Sequence, residues 1–349
     1  MKDFFSRFRK KVDFTGEVLH SALTPEDKVI PGKIIYSAAR YWLFSYCPRA
    51  CFYRYYAARG GWDPYAGEFA QKVFRLKYMR TLEGEAARIL SESLSRMLFH
   101  RDTPLPGEAE KENAPGKFLD EWKYFAAREV WQMGRALEEE RWRTDPKMPD
   151  FLELHGEAPL FHSPGELVDC LIEELRSFFR EVKEDSLLLP TLARLPRESF
   201  RSSLCFRDIT LENIPIVLPP FLLVLHKGVA AKLSFSFRFS GRDHLGEMDM
   251  DSYGENFNLS QQLFALFATR TFPGHTPEKW EVCWKQGQLS FHPREVTPLS
   301  LIFLQESAAE LFSFSGKDGF LSPEDFPCRE EKENCRFCRY FSLCRKEKG

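Results

Sequence analysis

The sequence predicts an α/β protein, with α+β as the neighbouring alternative: a large helical N-terminal half, then a mixed sheet, then a cysteine-rich end that closes the chain. Three observations predict it. Over Glu68 to Phe99, and again over Lys117 to Arg143 beyond a polar loop with three prolines at 101–116, apolar residues follow the repeat of one helix face. Further on the period drops to two, with Leu233, Phe235, Phe237 and Phe239 alternating with Ser234, Ser236, Arg238 and Ser240. Near the end stand Cys335, Cys338 and Cys344, three soft donors that leave a tetrahedral metal site one ligand short.

Composition bounds the rest. With 349 residues, 43% of them hydrophobic, the chain can bury a large core as one elaborated domain or two. A net charge of −2 selects no class of partner. No apolar run reaches the ~18 residues of a membrane span. The opening residues are basic, with Phe4, Phe5 and Phe8, but lack the apolar stretch and small-residue cleavage site of a secretory signal. Nine cysteines, an odd number, favour reduced thiols and metal binding over a disulfide frame, which places the protein in the cytoplasm.

Taken in order, residues 1–34 read as an appendage ending at Pro31-Gly32, and residues 35–349 as one domain. Its helical part is expected over about 35–200, its sheet core over about 201–315 and its cysteine-rich closure over 316–349. Tyr36 to Tyr56 is rich in aromatic residues and arginines, and Pro48 puts Cys47 at a junction between two helical pieces. Glu68 to Phe99 reads as one long amphipathic helix and Lys117 to Arg143 as a second. Ser163 with Glu166 three residues on is a capping signal for a third, to about Val182. Val224 to Ala231 reads as a first strand region, followed by the alternating strand. Glu247-Met248-Asp249-Met250-Asp251 then puts three carboxylates on one strand face. A helix over Leu259 to Thr269, a hairpin turning at Gln286-Gly287, and a helix from Thr297-Pro298 to about Phe314 complete the order.

The fourth thiolate must come from elsewhere in the chain, and Cys47, in Tyr46-Cys47-Pro48-Arg49, is the best candidate, with Cys328 and Cys51 as spares. Such a centre staples the C-terminus onto the N-terminal region. Cys170, Cys205 and Cys283 sit in apolar patterns and read as core residues.

The stretch Phe44 to Tyr56, centred on Cys47-Pro48-Arg49, resembles the opening motif of RecB-like nucleases of the PD-(D/E)XK superfamily. Gly60-Gly61-Trp62 and the segment Phe74 to Met79 resemble the next segment in a bacterial branch of that group. The terminal cysteines are similar to those of its iron–sulfur members, the nuclease domain of the AddAB helicase–nuclease and the four-cysteine CRISPR-associated exonucleases. The likeness spans residues 36–349, with specific motifs at the two ends. It implies a nuclease-like mixed sheet closed by a [4Fe–4S] cluster on Cys47, Cys335, Cys338 and Cys344, with a Cys₄ zinc site as the rival.

The resemblance also implies an acid at the end of one strand, acid-x-lysine on the next, and one or two divalent cations for phosphodiester hydrolysis. Several positions depart from it. Val224 to Ala231 has no acid, Asp249 or Asp251 stands where a lysine is expected, Ser91 falls where the family has a histidine, and Gln262 is followed by Leu266 instead of tyrosine. The catalytic candidates that remain are Glu247, Asp249, Asp251, Gln262 and Glu92, with Glu247 and Asp249 as Mg²⁺ or Mn²⁺ ligands, helped by His226 or His244. Arg238 and Arg242 are the groups that would otherwise neutralise these acids. A basic patch of Arg49, Arg54, Arg336 and Arg339, beside Arg345 and Lys346, suits nucleic-acid phosphates. The expectation is a catalytically degenerate iron–sulfur protein that binds DNA, single-stranded in particular, or scaffolds a complex with a helicase or an active nuclease. The alternatives are a metal-dependent DNA exonuclease with a rearranged site and a purely protein-interacting subunit.

Overall fold

A computed structural model describes residues 35–63, 65–99, 114–145, 148–155, 159–203, 207–239, 254–313, 321–329, 335 and 338–346. The N-terminal appendage and the Glu247–Asp251 segment, with His244 and Arg242, lie outside them. So do Arg336 and Cys205.

Helices α1 (Ala38–Tyr46) and α2 (Pro48–Phe52) meet at Cys47, which is at once the C-cap of one and the N-cap of the other. Its extended backbone, φ −155° and ψ 104°, breaks the helix where Pro48 cannot donate. One turn of π-helix over Tyr53–Ala57 follows.

The expected single helix over Glu68 to Phe99 is two helices, α3 (Glu68–Tyr78) and α4 (Leu82–Phe99). A distant segment makes the break. The Arg80 amide donates to Asp150 O at 2.8 Å and Arg80 O accepts from Leu152 N at 3.0 Å, holding the chain in a β-bridge that no helix permits. Thr81 Oγ1 then accepts from Gly84 N at 3.2 Å and starts the new helix. The second expected helix, α5, runs Ala114–Glu138 and stops short of Arg143, because Glu140 turns left-handed at φ 47° and a 3₁₀ turn takes Arg141–Arg143. After α6 (Leu152–His155), α7 (Pro164–Glu184) starts as expected: Ser163 Oγ accepts from Glu166 N at 3.2 Å. The Glu166 carboxylate reaches back to His162 N, one residue before the cap. Helix α8 spans Leu188–Arg194.

The sheet strands are β1 (Phe200–Ser203), β4 (Phe221–His226), β5 (Val229–Arg238), β6 (Thr276–Lys285) and β7 (Gln288–Glu295), in the order β1-β4-β5-β6-β7. The expected strand from Val224 to Ala231 is a hairpin instead. Lys227 and Gly228 both take positive φ, 46° and 77°, and fold β4 back onto β5. Gln286 and Gly287 do the same between β6 and β7, where the sequence places a turn. Only the β5–β6 pair is parallel, and α9 (Gly254–Thr271) stands between the two strands in the chain. The sheet is therefore mixed and the fold α/β. Strands β2 (Arg207–Leu211) and β3 (Ile214–Leu218) pair separately, and Tyr36 bridges to Ile216. Helix α10 is Leu301–Ser313, beginning later than Thr297 because Leu299 N is drawn to Gln262 O at 3.0 Å.

Strand alternation divides the interior into two cores. Leu222, Val224, Ala231, Leu233, Phe237, Val282 and Trp284 face a core made with α4, α5, α7 and α8. Phe221, Leu223 and Ala230, of opposite parity, face a second core made with α1, α2, α9, α10 and the last described segment, which includes α11 (Phe341–Lys346). No helix among the described residues is long and apolar enough to cross a membrane.

Candidate metal centre and sheet-face site

The second core brings the two ends of the described chain together. Phe52 and Tyr56 pack on Phe326 with ring centroids 5.3 and 5.4 Å apart, and Tyr53 packs on Tyr340 at 5.6 Å. Arg49 Nε donates to Phe326 O at 2.9 Å. Arg339 reaches the other way: its Nη1 lies 2.9, 3.2 and 3.5 Å from the carbonyls of Met79, Leu76 and Lys77, satisfying acceptors that the end of α3 leaves open. Two arginines expected on nucleic acid therefore direct N–H groups to backbone carbonyls. Arg54 lies 6.0 Å from the Tyr55 ring.

The expected thiols gather here. Cys47 and Cys51 are buried, and Cys338 and Cys344 are half-buried against the same core. Burial pushes the Cys338 thiol up to about 12, and the neighbouring Cys47 and Cys335 add to the rise. Cys335 is raised by burial and then by Cys47, while a hydrogen bond with Cys328 opposes the rise. Burial likewise lifts Cys51 to about 12, with Cys47 adding to it. Cys47 thus acts on Cys335 and Cys338 from nearly three hundred residues away in the chain. Soft thiol donors from two chain ends, in apolar surroundings, suit a thiolate-bound metal in chemistry. As arranged, no three His, Cys, Asp or Glu side chains among the described residues close into a metal-ligand group. Of the thiols expected in the core, Cys170 is half-buried against the helical core. Cys283 is half-buried too and receives a hydrogen bond from Ser236 Oγ at 3.2 Å.

Of the catalytic candidates, Glu92 and Gln262 are among the described residues, and they stand on opposite faces of the sheet. Glu92, on α4, pairs with Arg88 at 2.6 Å and Arg96 at 3.9 Å on the helical-core side of the sheet. Gln262 is on α9, across the sheet. On that second face lies a lysine that the motif pattern does not pick out. Lys232 is 9% exposed, its Nζ 3.4 Å from Ser260 Oγ and 5.9 Å from the Phe264 ring. Lys279 pairs with it in register and bonds Glu281 at 3.0 Å; the next partners along are Ser234 with Glu281 and Ser236 with Cys283. Gln261, 2% exposed, and the buried Ser234 hydroxyl have no hydrogen-bond partner among the described residues. The signal in the sequence was Lys227-Gly228, a turn that makes Val229 to Arg238 a second strand with Lys232 on its second-core face.

No protein-family model and no curated protein matches this chain. Among solved structures, that of SSO0001 aligns over 72% of this chain and 94% of its own, at 9% identity and a TM-score of 0.27, a likeness too slight to carry an argument.

Proposed function

We propose that this protein is a cluster-stapled, nuclease-like fold that has lost its hydrolytic chemistry and serves DNA binding or the assembly of a DNA-processing complex. The observation that supports the reading is the packing of the Cys47 segment against the C-terminal segment that carries Cys338 and Cys344, through Phe52 and Tyr56 on Phe326, Tyr53 on Tyr340 and Arg49 on the Phe326 carbonyl. Cys344, six residues beyond Cys338 and half-buried against the same core, would complete the ligands with Cys47, Cys335 and Cys338. Bound there, a [4Fe–4S] cluster would act as a structural cross-link between the ends of the chain.

The loss of chemistry is supported by β4 and β5. Neither strand holds an Asp or Glu, and Ala230 and Ala231 precede Lys232, so this lysine has no acid beside it on its own strand. A lysine remains that can oppose phosphate charge, without the hard oxygens that hold Mg²⁺. Glu281, on the adjacent strand, is engaged by Lys279.

The test is iron, sulfide and zinc content, with the visible spectrum, of protein purified without oxygen, beside Cys47→Ser. About four irons per chain, lost in the variant, support the reading. One zinc, or metal retained by the variant, sinks the iron–sulfur staple at Cys47. Incubation with single-stranded DNA and Mn²⁺ should leave the strand intact. Digestion that Glu247→Ala with Asp249→Ala abolishes would establish the exonuclease alternative.

A further inference from the structure

Away from the thiols and the sheet face, a cavity of about 380 Å³ opens between the α3–α4 junction, the second half of α5 and the segment before α6. We propose that it binds a phosphorylated base, as a free nucleotide or as one residue of a single strand. This gives the nucleic-acid part of the reading above a surface of its own, and stands without the metal centre.

Each part of such a ligand meets matching chemistry. Met133, Ala136, Met148 and Pro149 supply apolar lining, and Trp131, 60% exposed, supplies an aromatic ring. An indole so placed is suited to base stacking, which tolerates any base because every base has a π-face. Four arginines, Arg80, Arg88, Arg135 and Arg141, stand against one lining carboxylate, Glu129. Arg80 and Arg88 are committed to the buried Glu85, at 2.7 and 2.6 Å. Arg135 and Arg141 share a single exposed carboxylate, Glu139. An exposed pair of that kind is worth little, so a phosphate, singly charged within a strand or doubly charged on a free nucleotide, can replace Glu139 across both guanidinium groups. Arg135 also lies 5.1 Å from the Trp131 ring, which ties the anion-binding group to the stacking surface.

Glu129 does not oppose an anion here. Its side chain is 5% exposed and lines the cavity, and its carboxylate is paired with Arg96 Nε at 3.2 Å and Arg88 at 3.8 Å. With that charge balanced, Arg135 and Arg141 are the groups left to meet an anion.

The experiment is fluorescence polarisation of a labelled 12-nucleotide single strand, with adenosine monophosphate as competitor, on the wild-type protein, Trp131→Ala, Arg135→Ala with Arg141→Ala, and Cys47→Ser. Trp131, Arg135 and Arg141 are exposed, so these variants keep their fold, which circular dichroism checks. Binding should weaken about tenfold in Trp131→Ala. In the double variant it should weaken at least as much and lose salt dependence. Competition by the mononucleotide assigns the cavity to free nucleotides; strand binding that the mononucleotide leaves untouched assigns it to a strand. Wild-type binding that survives both cleft variants overturns this site and leaves the DNA-binding reading in place. No strand binding by the wild-type protein, with no thermal stabilisation by adenosine monophosphate, overturns both. Loss in Cys47→Ser alone ties binding to the thiol centre and also overturns the site.

Discussion

The two cores on either face of the sheet are built from opposite kinds of sequence. On one face, α4, α5, α7 and α8 follow one another along the chain and enclose Trp122, whose Nε1 donates to Ser93 Oγ at 3.1 Å. On the other, Tyr36 to Ala58 packs against Leu304, Phe326 and Tyr340, so that both ends of the described chain must arrive before the core exists. Local contacts form early and cost little loop entropy, whereas this closure must be offset by what it buries. The helical core should therefore be the more persistent half, and the closing core the half that a cross-link can switch.

The largest effect should come from removing the closing segment. Deleting residues 314–349 takes Leu321, Phe326, Tyr340 and Leu343 out of the second core. At about 1.5–3 kcal/mol for each large apolar side chain, the loss is comparable to the whole stability of a domain. Amide hydrogen exchange should show α1 and α2 unprotected while α4, α5 and α7 keep much of their protection. Uniform loss across both faces would break the comparison.

Next in size is Trp122→Ala. The ring is fully buried and meets Phe178, Phe179 and Phe235 at 6.0, 5.3 and 5.7 Å, so truncation leaves a cavity and should cost about 3–5 kcal/mol in denaturant unfolding. If the two halves are as separable as their wiring suggests, protection in α1 and α2 should change less than protection in α5.

Glu85→Gln should come third, at about 3 kcal/mol, because it leaves Arg80 and Arg88 facing a neutral amide. Those guanidinium groups are 28% and 29% exposed, which keeps the loss at the lower end for a broken buried pair. Burial alone would push the Glu85 carboxyl up, but Arg80 and Arg88 outweigh it and hold it below the ordinary carboxylate range. A folded value below the unfolded one means that the stabilisation is present above the unfolded pKa and is lost as pH falls through the folded one. The wild-type protein should thus lose stability in acid, and Glu85→Gln should show a shallower acid limb. Equal limbs would remove Glu85 from the account of acid unfolding.

Legibility in the sequence divides along the same line. Periods of 3.6 and 2 located α5, α7 and β5, and local chemistry located the junction at Cys47, the cap at Ser163 and the turn at Gln286-Gly287, since each depends on residues within a few positions. The break at Met79 to Thr81 was hidden, because the apolar phase runs straight through it and its cause is Phe151, seventy residues away. Lys232 was hidden by register, since its meaning depends on the β4–β5 turn that sets which residues face the second core. The cysteine set is a proposal from spacing; the structure shows Cys47, Cys338 and Cys344 against one core and no closed ligand group among the described residues. Composition does not tell a guanidinium that caps a helix end, as Arg339 does, from one that meets solvent.

The smallest predicted effect sharpens the comparison most finely. Tyr340 is fully buried in the closing core, and its hydroxyl has no hydrogen-bond partner among the described residues. Burial raises that hydroxyl to about 12, partly opposed by Arg54 and Arg339, so it stays protonated at neutral pH and gives the core an unsatisfied dipole. Tyr340→Phe keeps the ring against Tyr53 and removes only the oxygen. Deleting an unsatisfied buried group should be neutral or stabilising by up to about 1 kcal/mol. A loss of about 1–2 kcal/mol would instead mean that a residue outside the described ones bonds the hydroxyl, making the closure a polar network as well as an aromatic one. The helical core, where the Trp122 N–H is already satisfied, should show the contrast: Trp122→Phe leaves a smaller ring and Ser93 without that donor, and it should cost stability where Tyr340→Phe does not.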